Sequence, residues 1–149
     1  METKEEKYVL LIEQAKSLFE AESDSIANMA NISALLKETF NFWWCGFYIV
    51  KGEQLVLGPF QGPLACTRIR YGKGVCGTSW AGKRTVIVPD VNEFPGHIAC
   101  SAASRSEIVI PIFAGNTVTA VLDIDSEHLS TFDDTDARYL QQLCTYIKI

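Results

Sequence analysis

The 149-residue chain has no long apolar run and no run of basic residues. The longest apolar run near its start, Tyr8–Ile12, is far shorter than the about 20 residues of a membrane-spanning helix, and it also falls short of the apolar core of a signal peptide. Lys and Arg total 13 against 18 Asp and Glu, which gives a net charge of −5. We therefore expect a cytoplasmic protein that neither spans a membrane nor binds nucleic acid through a basic surface.

Histidine is also scarce, and the cysteines lack the spacing of a metal site. The chain has two histidines and five cysteines, with no C-x2-C pair among them. In the cytosol, an odd number of cysteines is better explained by reactive, metal-bound or free thiols than by structural disulfides. The rival interpretation is a zinc site built from Cys66, Cys76 and Cys100 with His97 nearby, although the spacing does not support it. A Cys-His hydrolase would need a histidine that orients Cys100, which the spacing does not favour either.

The composition predicts one globular domain over residues 1–149, because 48% of the residues are apolar and 21% are charged. Helical and alternating apolar patterns predict an α+β fold. On the second helix the expected buried stripe is Ile26, Met29, Ala30 and Leu36. Most connections between strands are too short for parallel crossovers, so we expect an antiparallel sheet with helices packed mainly on one face. The expected helices are 4–20, about 24–40, 78–82 and one that begins near 131–133, and the expected strands are 42–50, 54–57, 65–70, 85–88, 106–113 and 117–124.

The last two expected strands separate apolar residues from acids. Their even-numbered residues at 108–112 and 118–124 are all apolar, whereas Glu107, Asp123 and Asp125 are odd-numbered. Successive side chains of a strand point to opposite faces, so the three acids should share the face that does not pack on the main helical layer. We expect a three-residue hairpin loop at 114–116, which places Glu107 opposite Asp123. A slip of one residue would move the acids to the other face.

This acidic face has two interpretations. It is either a solvated outer face, which is common in antiparallel sheets, or one wall of a pocket. In a pocket, three close carboxylates repel one another, so a cation neutralises them or one of them keeps a proton. Such a group can hold an ammonium ion and act as a general acid.

Three cysteines precede these acids in the chain. Cys100 stands near the end of an aperiodic loop, 90–104, and seven residues before Glu107, so the loop can fold its thiol over the acids. Reactive cysteines are typically found in such partly exposed loops. Cys66 is expected on the strand 65–70, and Cys76 in a glycine-rich turn. The remaining two are expected to be small buried hydrophobes, Cys45 and Cys144.

Several aromatic residues could form the wall of an apolar subsite, but each is more often a core residue, and none is assigned to the site. They are Trp43, Trp44, Phe60, Trp80 and Phe94.

At these positions the sequence resembles a known family. The segments LGPFQGPLACTRI, YGKGVCGTSW, VIVPDV, FPGHIACSAASRSEIVIPI and AVLDIDSEHLSTFD are similar to those of GAF-domain free methionine-(R)-sulfoxide reductases. The similarity runs from about Phe42 to the end of the chain. It implies a GAF fold, with a six-stranded antiparallel sheet and a loop-covered pocket. It also implies that free methionine-(R)-sulfoxide is reduced to methionine.

The resemblance further implies roles for individual residues. By position, Cys100 corresponds to the attacking cysteine, Cys66 to the usual resolving cysteine and Cys76 to an auxiliary or alternative one. The acids that bind the substrate and donate a proton correspond to Glu107, Asp123 and Asp125. The family uses no metal or other cofactor, is often dimeric and is recycled by thioredoxin, which implies the same for this chain.

The implied chemistry fits these residue types. A cysteine that takes up the sulfoxide oxygen becomes a sulfenic acid, and a second thiol condenses with it to a disulfide that thioredoxin can open. The alternative is a GAF sensory module that binds a small ligand without turnover.

Overall fold

The structure, a computed structural model, describes residues 1–97 and 103–149. Within these ranges the chain forms four α-helices, six β-strands and a short 3-10 helix. In chain order they are α1 (Lys4–Ala21), α2 (Ser25–Phe40), β1 (Trp44–Lys51), β2 (Gln54–Gln61), β3 (Arg68–Arg70), α3 (Gly74–Gly82), β4 (Val86–Val88), the 3-10 helix (Val91–Glu93), β5 (Ser106–Ala114), β6 (Thr117–Ser126) and α4 (Asp134–Cys144).

All six strands belong to one antiparallel sheet, which confirms the expected α+β architecture. The strand order is β3-β2-β1-β6-β5-β4, so β1, β6 and β5 lie at the centre. The two halves of the chain meet where β1 pairs with β6, and this pairing places Gly46 opposite Asp123 and Trp44 opposite Asp125. The aromatic strand β1 therefore lies directly beside the acidic strand β6.

The sheet separates two apolar layers. On one face, α1, α2 and α4 cover the even-numbered residues of β5 and β6, such as Ile110 and Leu122, as the alternation predicted. On the other face, α3 packs over residues such as Tyr48, Val109 and Val121. No helix within the two described ranges is long and apolar enough to cross a bilayer.

The helical layer is closed by a polar contact between the first and last helices. Helix α4 begins with a capping box in which the Asp133 side chain accepts from the backbone N–H of Asp136, and the Asp136 side chain accepts from that of Asp133. The Asp136 carboxylate also accepts hydrogen bonds from the Lys4 ammonium at 2.7 Å and the Tyr8 hydroxyl at 2.5 Å, both from α1. Asp136 is only 2% exposed and Tyr8 is fully buried, whereas the Lys4 side chain remains half-buried.

The prediction for the inner stripe of α2 is wrong at two positions. Ile26 is 55% exposed and Ala30 is also exposed, whereas Met29 and Leu36 are buried as expected. The buried stripe instead includes polar Ser33, whose hydroxyl donates to the Met29 carbonyl at 2.7 Å. Because a polar side chain can be buried once it is hydrogen-bonded, a search for apolar residues alone misplaces this face.

The hairpin between β5 and β6 differs from the prediction in its loop and its register. Ala114 pairs with Thr117, so the loop has two residues, and Gly115 at its first position has φ +63°. A shift in register next to Ile112 leaves Thr119 unpaired, as in a β-bulge. The short loop and the bulge each move the register by one residue, so their effects on the two faces cancel. As a result Glu107 lies opposite Asp125, and not opposite Asp123, while all three acids keep the expected face.

Val118 lies between the loop and the bulge, where the register is displaced by one residue. It was expected on the helical face, but it is buried in the opposite layer with Val109 and Val121. One residue of slip in an antiparallel pair moves a side chain to the other face, which explains this exception.

Two cysteine-bearing segments also differ from the predicted boundaries. Strand β3 covers only Arg68–Arg70, so Cys66 lies in the segment that precedes it. Helix α3 begins at Gly74, which places Cys76 inside its first turn and not in a loop. At Gly77 a Cβ atom would lie 2.6 Å from the Arg70 carbonyl oxygen, so glycine allows α3 to approach the end of β3 closely.

Candidate active site

Strands β5 and β6 bring the three acids together on the face that α3 covers. Glu107 and Asp123 are each 6% exposed, and Asp125 is half-buried. The interpretation of this face as a solvated surface is therefore wrong, because the carboxyl groups lie in the second apolar layer. They line a cavity of about 60 Å³, which is room for a few water molecules.

Cys76 reaches the acids from α3. Its Sγ, a carboxyl oxygen of Glu107 and one of Asp123 all lie within 4.8 Å of one another, and the three residues are buried. Oδ1 of Asp123 is buried and has no hydrogen-bond partner in the described part of the chain. The site thus combines a thiol, neighbouring carboxyl groups and an acceptor oxygen that is not satisfied.

Burial makes these groups hold their protons. It raises the pKa of Glu107 well above its usual range, and the neighbouring Asp123 and Asp125 raise it further by repulsion. Burial and Asp123 likewise raise the pKa of Asp125, while the Ser104 hydroxyl, which donates to Asp125 Oδ1 at 3.0 Å, acts in the opposite direction. Because the acids titrate as a group, the cavity retains protons at a pH at which exposed carboxyl groups have lost theirs.

Of the three acids, Asp123 has the most neighbouring groups that stabilise its ionised form. Burial raises its pKa, but hydrogen bonding from Glu107 and Cys76 and the nearby imidazole of His97 all lower it. The arrangement therefore surrounds one carboxylate, which can bind a cationic group, with groups that can donate protons.

The Cys76 thiol is poorly suited to act as a nucleophile in this state. Its pKa is raised well above the usual value, first by burial and then by the charges of Asp123 and Glu107. The thiolate is the reactive form of cysteine, so Cys76 remains a thiol next to the acids.

Cys66 lies at the edge of the same region, in the segment before β3, and is half-buried. The Tyr48 hydroxyl donates to the main-chain carbonyl of Cys66 at 2.9 Å, and the Trp44 indole donates to that of Pro63 at 3.0 Å. Leu64 and Ala65 line the cavity. Two side chains of β1 therefore fix this segment at the entrance to the acids.

Cys100 lies outside the described residues, so its expected position over the acids stays a prediction. The described residues on either side of it in the chain, His97 and Ser104, both line the cavity. Burial lowers the pKa of His97, and Asp123 opposes that effect.

The residues that line the cavity include several that were not assigned to the site from the sequence. Trp43 and Trp44 were considered but not assigned, and Tyr48 and Ser104 were missed. Tyr48 and Trp44 are both even-numbered residues of β1, so alternation along the strand predicts that their side chains share a face. Ser104 follows no periodic pattern, so its contact with Asp125 could be found only in three dimensions.

Comparison with known proteins gives consistent matches. The sequence profile of the GAF domain matches residues 29–149. Over 146 residues the chain is 45% identical to a protein of Escherichia coli named free methionine-R-sulfoxide reductase, with 97% of this chain and 88% of that protein covered. It is 56% identical over 142 residues to GAF domain-containing protein A of Dictyostelium discoideum, with 95% and 90% covered.

Among solved structures, free methionine-R-sulfoxide reductase from Neisseria meningitidis, determined in complex with its substrate, superposes with a TM-score of 0.97. The two sequences are 51% identical, and the match covers 99% of this chain and 89% of that one. At this identity the likeness extends beyond the fold to the sequence of the whole domain.

Proposed function

The chain belongs to the GAF-domain free methionine-(R)-sulfoxide reductases, and we propose that it reduces free L-methionine-(R)-sulfoxide to L-methionine through a cysteine sulfenic acid and an intramolecular disulfide. The observation that carries this proposal is the buried acid group. Burial and mutual repulsion raise the pKa values of Glu107 and Asp125 well above their usual range, while Asp123 Oδ1 beside them has no hydrogen-bond partner among the described residues.

The acids address the main difficulty of the reaction. A sulfoxide oxygen is a poor leaving group until it is protonated, so a carboxyl group that still carries its proton at neutral pH is required next to it. Glu107 is the better candidate for this donor, because it is fully buried and is surrounded by two other acids. Proton donation by Glu107 lowers the barrier to transfer of the oxygen to a cysteine.

The same acids explain a preference for the free amino acid. Free methionine sulfoxide carries an ammonium group, which a methionine residue within a protein lacks. Asp123 Oδ1 has no partner among the described residues and can accept a hydrogen bond from this cation. Recognition of the ammonium group fixes the substrate so that its sulfur faces the nucleophile.

We assign the first redox step to Cys100. Its sulfur attacks the substrate sulfur and takes the oxygen, so that methionine leaves with its sulfur reduced and Cys100 becomes a sulfenic acid. This role follows from the family resemblance and from the position at the cavity of His97 and Ser104, which lie three and four residues from Cys100 in the chain. Cys76 is a weaker candidate because its pKa is raised.

The second step is assigned to Cys66. Its thiol condenses with the Cys100 sulfenic acid, which releases water and forms a disulfide. In the structure Cys66 is disulfide-bonded, whereas Cys76 is a free thiol, and this supports Cys66 over Cys76 as the resolving cysteine. We further propose that thioredoxin reduces the disulfide by exchange, and that the protein acts as a homodimer in the cytoplasm.

The proposal is tested by NADPH oxidation coupled through thioredoxin reductase and thioredoxin. We expect turnover with free methionine-(R)-sulfoxide, little with the (S) epimer, and little with N-acetylmethionine-(R)-sulfoxide, which lacks the ammonium group. The absence of turnover with the free (R) epimer, together with tight binding of another small molecule, would instead identify a sensory module.

A further inference from the structure

Cys76, Glu107 and Asp123 are arranged as a group of metal donors. One sulfur and two carboxyl oxygens lie within 4.8 Å of one another, and they come from α3, β5 and β6. Asp123 is 6% exposed, yet its Oδ1 has no hydrogen-bond partner within the described ranges. A buried polar atom without a partner is unfavourable, so a positive group at this position would stabilise the site.

The donor types restrict the cation. Zn²⁺ binds cysteine sulfur and carboxylate oxygen at roughly 2.0–2.3 Å, whereas Mg²⁺ and Ca²⁺ prefer sites built entirely from oxygen. A thiolate therefore selects a soft or borderline ion such as Zn²⁺ or Cd²⁺. Two donors on a tetrahedral ion lie roughly 3.3–3.8 Å apart, so donors that now lie within 4.8 Å of one another need to approach by at most about 1.5 Å.

The surroundings also suit an ion. The cavity has a volume of about 60 Å³, which can hold a cation and the water that completes its coordination. His97 lines the same cavity but does not belong to the group of three donors. This set differs from the zinc site considered from the sequence, which combined the thiols of Cys66, Cys76 and Cys100, because it consists of one thiol and two carboxyl groups.

We propose that this cavity binds one thiophilic divalent cation, Zn²⁺ or Cd²⁺, through Cys76, Glu107 and Asp123. Coordination displaces two protons to solvent, one from the Cys76 thiol and one from the Glu107 carboxyl group, and it satisfies Asp123 Oδ1. The bound ion occupies Asp123, to which we assign the substrate ammonium group, and Glu107, to which we assign proton donation. It therefore inhibits reduction reversibly and in competition with substrate, and this consequence rests on the proposed function.

The binding test uses Cd²⁺ and the full chain with Cys66→Ser and Cys100→Ser, so that neither of these thiols can bind the metal. Titration is followed by the ultraviolet thiolate-to-cadmium charge-transfer absorption. We expect saturation at one equivalent per chain. Adding Cys76→Ser should abolish the band. Cys144 is the matched control, because it is also a free buried thiol. Adding Cys144→Ser should leave the band unchanged, because Cys144 lies on the opposite face of the sheet.

A second variant guards against a folding defect at Cys76. Asp123→Asn preserves the size of the side chain and should weaken Cd²⁺ binding by at least roughly tenfold. Loss of a residue that only hydrogen-bonds to a metal ligand already weakens binding by about that factor, and Asp123 is a ligand itself. Circular dichroism confirms that each variant is folded. The proposal is overturned if the band is absent, if it survives Cys76→Ser, or if it depends on Cys144.

Activity separates this proposal from the reductase function. If the band forms as expected but the wild-type protein does not reduce methionine sulfoxide, the metal site stands and the proposed function fails. If turnover is normal and no Cd²⁺ site exists, the inference alone fails. Both proposals are supported if a chelator reverses inhibition by Zn²⁺ and if the half-inhibitory concentration of Zn²⁺ rises with substrate concentration.

Discussion

Tyr48 holds the segment that carries Cys66 through one hydrogen bond, from its hydroxyl to the Cys66 main-chain carbonyl at 2.9 Å. Tyr48 is 2% exposed and lies on β1, at the centre of the sheet. Burial raises its pKa, so the hydroxyl stays protonated and acts as the donor. The position of the proposed resolving cysteine thus depends on a residue of a distant strand.

Tyr48→Phe should slow the step in which Cys66 resolves the sulfenic acid, but not the first reduction. The substitution keeps the ring and removes a buried hydrogen bond that is worth about 1 kcal/mol, which corresponds to roughly a fivefold loss of rate. We expect normal release of methionine in a single turnover and a lower steady-state kcat with thioredoxin.

Tyr71→Phe is the matched control, because Tyr71 is 56% exposed and lies outside the lining of the cavity. It should leave both phases unchanged. If Tyr48→Phe slows the first turnover instead of the steady state, the hydroxyl acts on the substrate and not on the Cys66 segment.

The cysteines should separate into distinct kinetic roles. Cys100→Ser should abolish reduction, whereas Cys66→Ser should form one methionine per chain and then stop, because no disulfide forms for thioredoxin to open. The measurement is methionine produced per chain with and without thioredoxin. Cys144→Ser, a buried thiol in the helical layer, should cycle normally. Cycling of Cys66→Ser at the wild-type rate would assign the resolving role to Cys76.

The sequence was sufficient to place the acids on one face, but not to pair them. Alternation along β5 and β6 determines which residues share a face, and this held for Glu107, Asp123 and Asp125. The two-residue loop and the bulge at Thr119 each shift the pairing by one residue. A total shift of two residues changes which residues are paired but leaves every side chain beyond the bulge on its expected face. Two compensating irregularities leave the pattern intact, so only coordinates distinguish Glu107 opposite Asp125 from Glu107 opposite Asp123.

The hydrogen bonds that complete the site could not be predicted from the periodicity of the sequence, for a different reason. The bonds from Tyr48 to Cys66 and from Ser104 to Asp125 join residues 18 and 21 positions apart. Such bonds depend on the curvature of the sheet and on the path of loops. Cys76 shows the same limit, because glycines that looked like a turn open a helix that points its thiol towards the acids.

Asp136 should dominate the stability of the helical layer. Its buried carboxylate accepts from Lys4, Tyr8 and the backbone of Asp133. Asp136→Ala leaves the buried Tyr8 hydroxyl without its acceptor and should lower the free energy of unfolding by about 2 kcal/mol in urea denaturation. Glu5→Gln breaks an exposed pair with Arg138 instead and should have little effect. Equal losses for the two variants would show that burial of Asp136 is not what matters.

Glu107 should give the protein a distinctive dependence of stability on pH. Its pKa in the folded state is raised well above 4.5, so the folded chain keeps a proton that the unfolded chain releases above that pH. Unfolding then releases protons, and the free energy of unfolding falls as pH rises through this window. Glu107→Gln cannot ionise, so its melting temperature should fall less than that of the wild type between roughly pH 5 and pH 8.

Reduction of methionine sulfoxide should be impaired in Glu107→Gln even though the variant folds, because the amide cannot supply the proton that Glu107 donates. Glu38→Gln, at an exposed position of α2, is the control and should match the wild type in both the pH slope and the activity. A wild-type pH slope in folded Glu107→Gln would mean that Glu107 loses its proton as readily as an exposed carboxyl group. The proton for the sulfoxide would then have to come from Asp125, whose pKa burial also raises.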